Sequence, residues 1–286
     1  YESLASNLQD LRLQHKVTAV DYAGPGVTVS AESLAEGGTV SLVSFTADQV
    51  IVTVPIGVLQ KQAIAFNPPL PNSHQDALDG LVMGNMVKVF AAFNSSFWGD
   101  VPWEIMIHSG SDATPQDFPH SAWALSKAFS KMNAWQFLAA GEGADRVDQM
   151  TDAEVEAAVQ AWVDAKFPGV PPAERAVLSI MRSRWAEDEF AYGAYSSPLP
   201  MPSGEDNTEW AQEALSQPIE GKVYFAGEGT IPHVYSTVPG AYMSGLRAAN
   251  AIVPTTTFST ATATTSTAST STATTSTATT STATTS

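Results

Sequence analysis

The stretch "AGEGTIPHVYSTVPGAYMSGLRAA", residues 226–249, holds residues whose types and spacing could do chemistry. The apolar run just before it, "KVYFA", reads as a short strand that ends at Gly227 and Glu228. Ligands of open α/β sheets sit beyond the carboxyl ends of strands, and a glutamate there can accept hydrogen bonds from the hydroxyls of a ribityl or ribose chain. Pro239 stands where a first helical residue belongs, its missing N–H costing nothing. The amides on either side of it face outward with the positive end of the helix dipole. A flat ring with partial negative charge on a carbonyl, such as a flavin pyrimidine, suits that end. The small residues Gly240, Ala241, Ser244, Gly245 and Ala248 let the helix approach its neighbours closely. A Gly/Ala-rich helix packed flush against a sheet would show the same pattern with no ligand.

Lys88 is the second candidate. In a strand, Met86, Lys88, Phe90 and Ala92 share one face and Val87, Val89, Ala91 and Phe93 the other. Both faces are apolar, so the strand is expected to be central and the lysine buried. A buried ammonium tends toward neutrality and is a functional candidate; the alternative is a lysine guarding an edge strand against aggregation. A third group is "RWAEDEFAYGAY", which gathers Trp185, Phe190, Tyr192 and Tyr195. Aromatic faces can flank an amine through cation–π attraction or simple packing, though ordinary core use gives the same clustering.

Other chemistries find little support. No Gly-x-Ser-x-Gly elbow or pair of catalytic carboxylates stands out, which weakens hydrolase readings. His15, His74, His108, His120 and His233 are scattered without ligand spacing, so no metal site is expected. Cysteine is absent, which removes disulfides, thiolate chemistry and Cys-based zinc sites together.

The elements that must position these residues are carried by a 286-residue chain, 44% hydrophobic, with a formal charge of −16. That charge argues against nucleic acid, whose phosphates need clustered Lys and Arg. It fits a cationic small molecule drawn to an acidic surface, or a protein kept soluble by its charge. No apolar run is long enough to span a bilayer and no basic-then-apolar leader opens the chain. The first residues, "YESLASNLQD", read as the middle of a domain, so a preceding N-terminal part is expected.

Along the chain, "LRLQHKVTAVDYAGPGVTVS" reads as two strands joined by a turn at Gly24, Pro25 and Gly26. The run Val50, Ile51, Val52, Val54 suggests a strand buried on both faces, stopped by Pro55 and Gly57. Ser73 begins a short helix. "MGNMVKVFAAF", "WEIMIHSG", "SAWALSKAF" and "NAWQFLAAG" read as strands of one sheet, and "RAVLSIMRSRW" as another strand. "TDAEVEAAVQAWVDAKF" is the clearest helix. Thr151 and Glu154 form a capping box; Val155, Ala158, Val159, Trp162 and Val163 fall on one face; Pro168-Gly169 ends it. The expected class is mixed α and β with two lobes. From Pro254 onward a five-residue Thr/Ser/Ala repeat cannot bury enough surface to offset its ordering entropy, and is expected to be disordered. Its Thr/Ser density suggests an O-glycosylated stalk, hence a secreted or cell-surface setting, with a plain unmodified linker as the alternative.

Together these stretches resemble the flavin-dependent amine oxidases: polyamine oxidases, monoamine oxidases and histone lysine demethylases. "KVTAV", "ADQVIVTVPIGVLQ", "IAFNPPLP", "LVMGNMVKVF", "SRW", "YGAYS", "VYFAGEGT" and "TVPGAYMSGLRAANAI" occur in the family's order over roughly residues 11–253. The resemblance implies non-covalent FAD, an amine or polyamine substrate, and dioxygen. Hydride would pass from the carbon beside a neutral amine to the flavin, which dioxygen reoxidises to give hydrogen peroxide. By position it implies that the Val17 backbone meets the adenine and that Lys88 holds a water against flavin N5. Trp185 lies beside the flavin; Tyr195, with Trp185 and Thr237, walls the substrate cage. Gly227 and Glu228 contact the ribityl–diphosphate region, and Thr237 and Val238 start the helix whose Val238 amide points at the flavin O2 carbonyl.

The resemblance also implies an architecture. Residues 1–60 and 184–253 belong to a partial FAD-binding, Rossmann-like domain of the glutathione-reductase type. Residues 61–183 form a substrate-binding domain of mixed sheet flanked by helices, and 254–286 the tail. The family's Gly-x-Gly-x-x-Gly strand–turn–helix is nowhere in this sequence, nor is the acidic residue that follows it; both normally lie upstream. Weak or absent FAD binding by the chain alone is therefore expected. Thr237 stands where monoamine oxidases place a second cage tyrosine, and Val234 and Pro239 where tyrosine and histidine are common. The departure at Thr237 points to the polyamine-oxidase or demethylase branch. An amino-acid oxidase of the same superfamily would need an arginine for the substrate carboxylate, with Arg182 and Arg184 as candidates; a non-catalytic oxidase body on a stalk is a further alternative.

Overall fold

Gly24-Pro25-Gly26 closes a tight hairpin between β1 (His15–Asp21) and β2 (Val27–Leu34), as the turn chemistry predicts. The computed structural model describes residues 5–35, 37–99, 104–106 (backbone), 118–119, 121–125, 132–200 and 209–253; the threonine-rich tail lies outside them. The register of β1 on β2 slips between Val17 and Ala19, a bulge beside the candidate Val17. β3 (Val40–Ala47) pairs with β2 along its whole length, and the short β5 (Ala65–Asn67) joins β1 in parallel, giving the order β3-β2-β1-β5.

β4 (Val50–Val52) lies elsewhere, in parallel with β13 (Val223–Phe225): Val50 faces Val223, Ile51 faces Tyr224 and Val52 faces Phe225. All three residues of β13 are buried. Of β4 only Val52 is fully buried, which corrects the expectation of two-sided burial. Pro55 and Gly57 do not merely stop the strand. Pro55 caps a one-turn helix, α1 (Ile56–Gln60), whose Ile56, Val58 and Leu59 are buried. α2 (Asn72–Asp79) follows, then β6 (Leu81–Gly84), which pairs antiparallel with β12 (Tyr195–Pro198), and α5 (Trp210–Leu215) packs on α2. Val20, Tyr22, Val52, Ile56, Leu215 and Phe225 represent the resulting first core. His74 sits inside it, 3% exposed, its Nε2 2.9 Å from the Gln217 carbonyl.

The second core has a different origin. β7 (Met86–Phe93) is central in a five-stranded antiparallel sheet of order β11-β7-β10-β9-β8, with β8 Glu104–Met106, β9 Ser121–Ala124, β10 Ala134–Ala140 and β11 Val177–Arg182. The four stretches read as strands of one sheet thus join it, their remaining residues falling partly outside the described set. Period-2 alternation puts Val87, Val89, Ala91 and Phe93 of β7 on the face shared by Trp135 and Phe137 of β10. Helices α3 (Glu142–Gln149) and α4 (Asp152–Lys166) cover that face.

α4 begins as its sequence dictates. The Glu154 amide donates to the Thr151 hydroxyl at 3.3 Å and the Thr151 amide donates back to the Glu154 carboxylate at 2.7 Å. Val155, Val159, Trp162 and Val163 are buried while Ala158 is half-buried. The rings of Trp135 and Trp162 lie 5.3 Å apart, and Phe137 meets Trp162 edge-on at 5.2 Å.

Lys88 requires a correction. Its strand is central, but the side chain is exposed. It points to the sheet face opposite α3 and α4, with Met86, Phe90 and Ala92 half-buried beside it. Among the described residues the core-forming helices lie on one face only, so a central position in the ladder does not bury alternate side chains. The last helix, α6 (Val238–Ile252), starts one residue earlier than Pro239 suggested, with Thr237 as its N-cap.

Candidate active site

β4 and β13 run in parallel and end side by side, and a cavity of about 330 Å³ opens at their carboxyl ends. Its walls come from the segment after β4 (Thr53 to Ile56), from Gly227, Glu228 and Ala241, and from Met83, Trp185 and Gly193. The lining is mostly apolar and includes no lysine or arginine. Gly227 holds φ at 139°, a conformation that needs glycine, and so turns the chain sharply out of β13. Its amide donates to the Ser244 hydroxyl at 2.8 Å, and that hydroxyl donates to the Ala241 carbonyl at 2.7 Å.

Glu228 opens a single 3₁₀ turn, Glu228–Thr230. Its carboxylate accepts the Ser196 amide at 3.1 Å, the Ser196 hydroxyl at 2.9 Å and the Ser236 amide at 2.8 Å. The Ser236 hydroxyl donates to the Ser196 carbonyl, closing the ring. Arg247 reaches back from α6 to donate to the carbonyls of Phe225 and Thr230, and burial lowers its pKa. The 231–237 loop carries two non-glycine residues with positive φ, His233 at 63° and Ser236 at 58°. Each has its amide held by a carboxylate, Glu209 at 3.0 Å and Glu228 at 2.8 Å respectively.

The loop delivers Thr237, whose hydroxyl accepts the Gly240 amide at 3.0 Å and donates to the Val234 carbonyl at 2.6 Å. Gly240 packs so tightly that a Cβ there would lie 2.1 Å from the Val234 carbonyl oxygen. Val238, 62% exposed, makes no backbone hydrogen bond through its amide to another described group.

Of the residues singled out in the sequence, the cavity brings together Trp185, Gly227 and Glu228. Tyr195 lies on β12 opposite Gly84, against which its ring packs, and is joined to Glu228 through its neighbour Ser196. Thr237 and Val238 form the start of α6, while Val17 is half-buried at the bulge in β1 and packs on the first core; neither these three nor Lys88 line the cavity. Sequence reasoning missed Ser196, Ser236 and Arg247, which hold the site's segments in place. No local pattern signals them, since Ser196 and Ser197 are alike in type and the partners of Ser196 lie 32 and 40 residues along the chain.

The residues present fit one end of FAD. An apolar slot at the ends of two parallel strands, with an aromatic at its edge, suits the flat ring system, and the Val238 amide is an available donor at a helix start. Among the described residues no basic side chain lines the cavity. With no cysteine in the chain, none of its residues can form a thioether to a flavin. Among the described residues no group of three or more metal-ligating side chains converges, and no helix is long and apolar enough to cross a membrane. Arg182 and Arg184, the candidates for a substrate carboxylate, are engaged elsewhere. Arg182 donates to Asp152 and to the Val147 and Met150 carbonyls at the end of α3, and Arg184 donates to Asp152 at 3.0 Å.

A family model described as flavin containing amine oxidoreductase matches residues 1–253. The chain is 32% identical over 267 residues to a possible lysine-specific histone demethylase 1 of Drosophila melanogaster, covering 87% of this chain and 29% of that protein. It is 30% identical over 247 residues to polyamine oxidase 1 of Zea mays, covering 85% and 45% respectively. Putrescine oxidase solved with bound putrescine superposes with a TM-score of 0.65 at 20% identity, over 87% of this chain and 51% of that one, a likeness of fold. The chain therefore spans less than half the length of these two curated relatives and about half of putrescine oxidase.

Proposed function

The chain belongs to the flavin containing amine oxidoreductase family, and from that premise we propose that it forms the flavin-ring and substrate side of an FAD-dependent amine oxidase. One observation carries the reading: Trp185 meets Gly227 and Glu228, more than 40 residues along the chain, in an apolar cavity at the carboxyl ends of two parallel strands. FAD, when bound, supplies the two-electron acceptor for oxidation of an amine C–N bond, with dioxygen as the terminal oxidant and hydrogen peroxide as product. The chain's own residues do the rest. The slot would shield the ring from water, the amide of Val238 at the start of α6 would stabilise negative charge on a ring carbonyl, and the Val17 backbone would meet the adenine. Trp185, Tyr195 and Thr237 would wall the amine's approach, while Lys88 would hold a water against flavin N5. In this scheme residues 1–60 and 184–253 form the Rossmann-like flavin side, and 61–183 the substrate side.

The substrate is proposed as a polyamine or another amine lacking a carboxylate. Arg182 and Arg184 are committed to Asp152, and among the described residues no arginine lines the cavity to receive an amino acid's carboxylate. The test is peroxide release by the native gene product with added FAD, comparing spermine and spermidine with amino acids. Peroxide from the amines alone is the expected result; peroxide from amino acids alone would reject the assignment.

A further inference from the structure

We infer that Glu228 is a positioning residue, whose carboxylate holds Ser196 and Ser236 together and so sets the spacing between strand β12, carrying Tyr195, and the start of helix α6, carrying Val238. What is positioned rests on the reading just proposed; the coupling itself rests on the hydrogen bonds. An ionised carboxylate offers about four acceptor sites, and the protein takes three of them: Oε1 receives the Ser196 amide, and Oε2 receives the Ser196 hydroxyl and the Ser236 amide. One acceptor site remains for a ligand hydroxyl, so the carboxylate's main work is inside the protein.

The geometry supports a strut over ordinary packing. Ser196 is completely buried, so its hydroxyl and amide have no water to fall back on. Ser236 sits at a φ of 58°, a conformation that costs a non-glycine residue energy and persists where surrounding contacts impose it. The Ser236 hydroxyl returns to the Ser196 carbonyl, so each serine meets the other directly and through Glu228. Glu209 repeats the device at His233, holding the same loop at its other end: it accepts the His233 amide at 3.0 Å, with Nδ1 2.6 Å away. Charge-assisted bonds of this kind are the stronger class.

Amide hydrogen exchange on the full chain tests the strut without any cofactor. In Glu228→Gln the new NH₂ group opposes one of the three donors. The Ser196 and Ser236 amides are then expected to exchange at least about tenfold faster together, with the β7 and β10 amides unchanged. Acceleration at one serine alone, or at neither, would overturn the proposal. Should Glu228→Gln fail to fold, Ser196→Ala keeps its backbone donor and removes only the hydroxyl; faster exchange at Ser236 is expected, and unchanged exchange there would count against the strut. Riboflavin added to wild type and Glu228→Gln gives a second readout. A displaced visible absorption band in the variant supports positioning of the ring, whereas an identical band refutes it. If wild type binds no riboflavin, the exchange result alone decides the strut.

Discussion

The amide of Gly227 and the hydroxyl of Ser244 are joined at 2.8 Å, so the turn out of β13 is fastened to α6 by a side chain that is itself fully buried. The stripe Gly240, Ser244 and Ala248 is the buried face of that helix. Replacing Ser244 with alanine removes the acceptor that the Gly227 amide has among the described residues, and is expected to cost about 1–2 kcal/mol. Urea unfolding measures this; an unchanged midpoint would show that Arg247 alone secures the turn.

Two glycines of α6 should behave oppositely. A Cβ at position 240 meets the Val234 carbonyl oxygen at 2.1 Å, whereas one at 245 meets nothing within 4 Å. Gly240→Ala should lower stability by roughly 1–3 kcal/mol through forced movement of the loop. Gly245→Ala should raise it by up to about 1 kcal/mol through helix propensity. Thermal melts of the two variants side by side decide the matter, and similar melting points would contradict the packing described.

Among the described residues the cavity proposed for the flavin ring carries no lysine or arginine. Riboflavin and FAD are therefore expected to bind the chain with affinities within about tenfold of each other, a difference of at most about 1.4 kcal/mol. Quenching of flavin fluorescence reports both. FAD binding a hundredfold tighter would reveal a diphosphate site that the described residues do not form.

The capping box of α4 makes a pH-dependent contribution. The Thr151 amide and hydroxyl hold the Glu154 carboxyl below its ordinary pKa. A group with a lowered folded-state pKa stabilises fully above its unfolded value, and the contribution disappears as pH falls through the folded value. Thr151→Ala should thus cost about 1 kcal/mol near neutrality, and its deficit against wild type should narrow in acid below the usual glutamate range. Melting curves across that range check the sign; a deficit that widens in acid would contradict it.

Because the Lys88 side chain is exposed, Lys88→Met should leave the urea midpoint unchanged within error. A clear rise in stability would mean that the ammonium is under strain, as a buried one would be.

Legibility in the sequence followed the length of the physical signal. The hairpin at Gly24-Pro25-Gly26 and the helix from Asp152 announce themselves through turn chemistry, a capping box and a 3.6-residue period. The strands of the five-stranded sheet do so through apolar alternation. α1 and α5 are too short to show a period, and α3 hides behind a Glu-Gly start and scattered aspartates. Lys88 was misjudged because a strand's own residues cannot say which sheet faces receive helices. Glu228 stood out as a polar group at a strand end, but its partner Ser196 is 32 residues away, and nothing local links the two.

The two cores also differ in how the chain reaches them. The second is assembled from one uninterrupted run, from Val87 to Val163 with Val177 and Ile180 packed on it, whereas the first needs residues before Leu81 and after Ala211. During synthesis the sheet and its two helices can therefore close while the ribosome is still translating, but the layer beneath the cavity must wait for Phe225 to emerge. Protease challenge of nascent chains arrested near residue 200 should find the second core resistant at its sheet and the first core open at Tyr22, and equal protection of both would contradict that order.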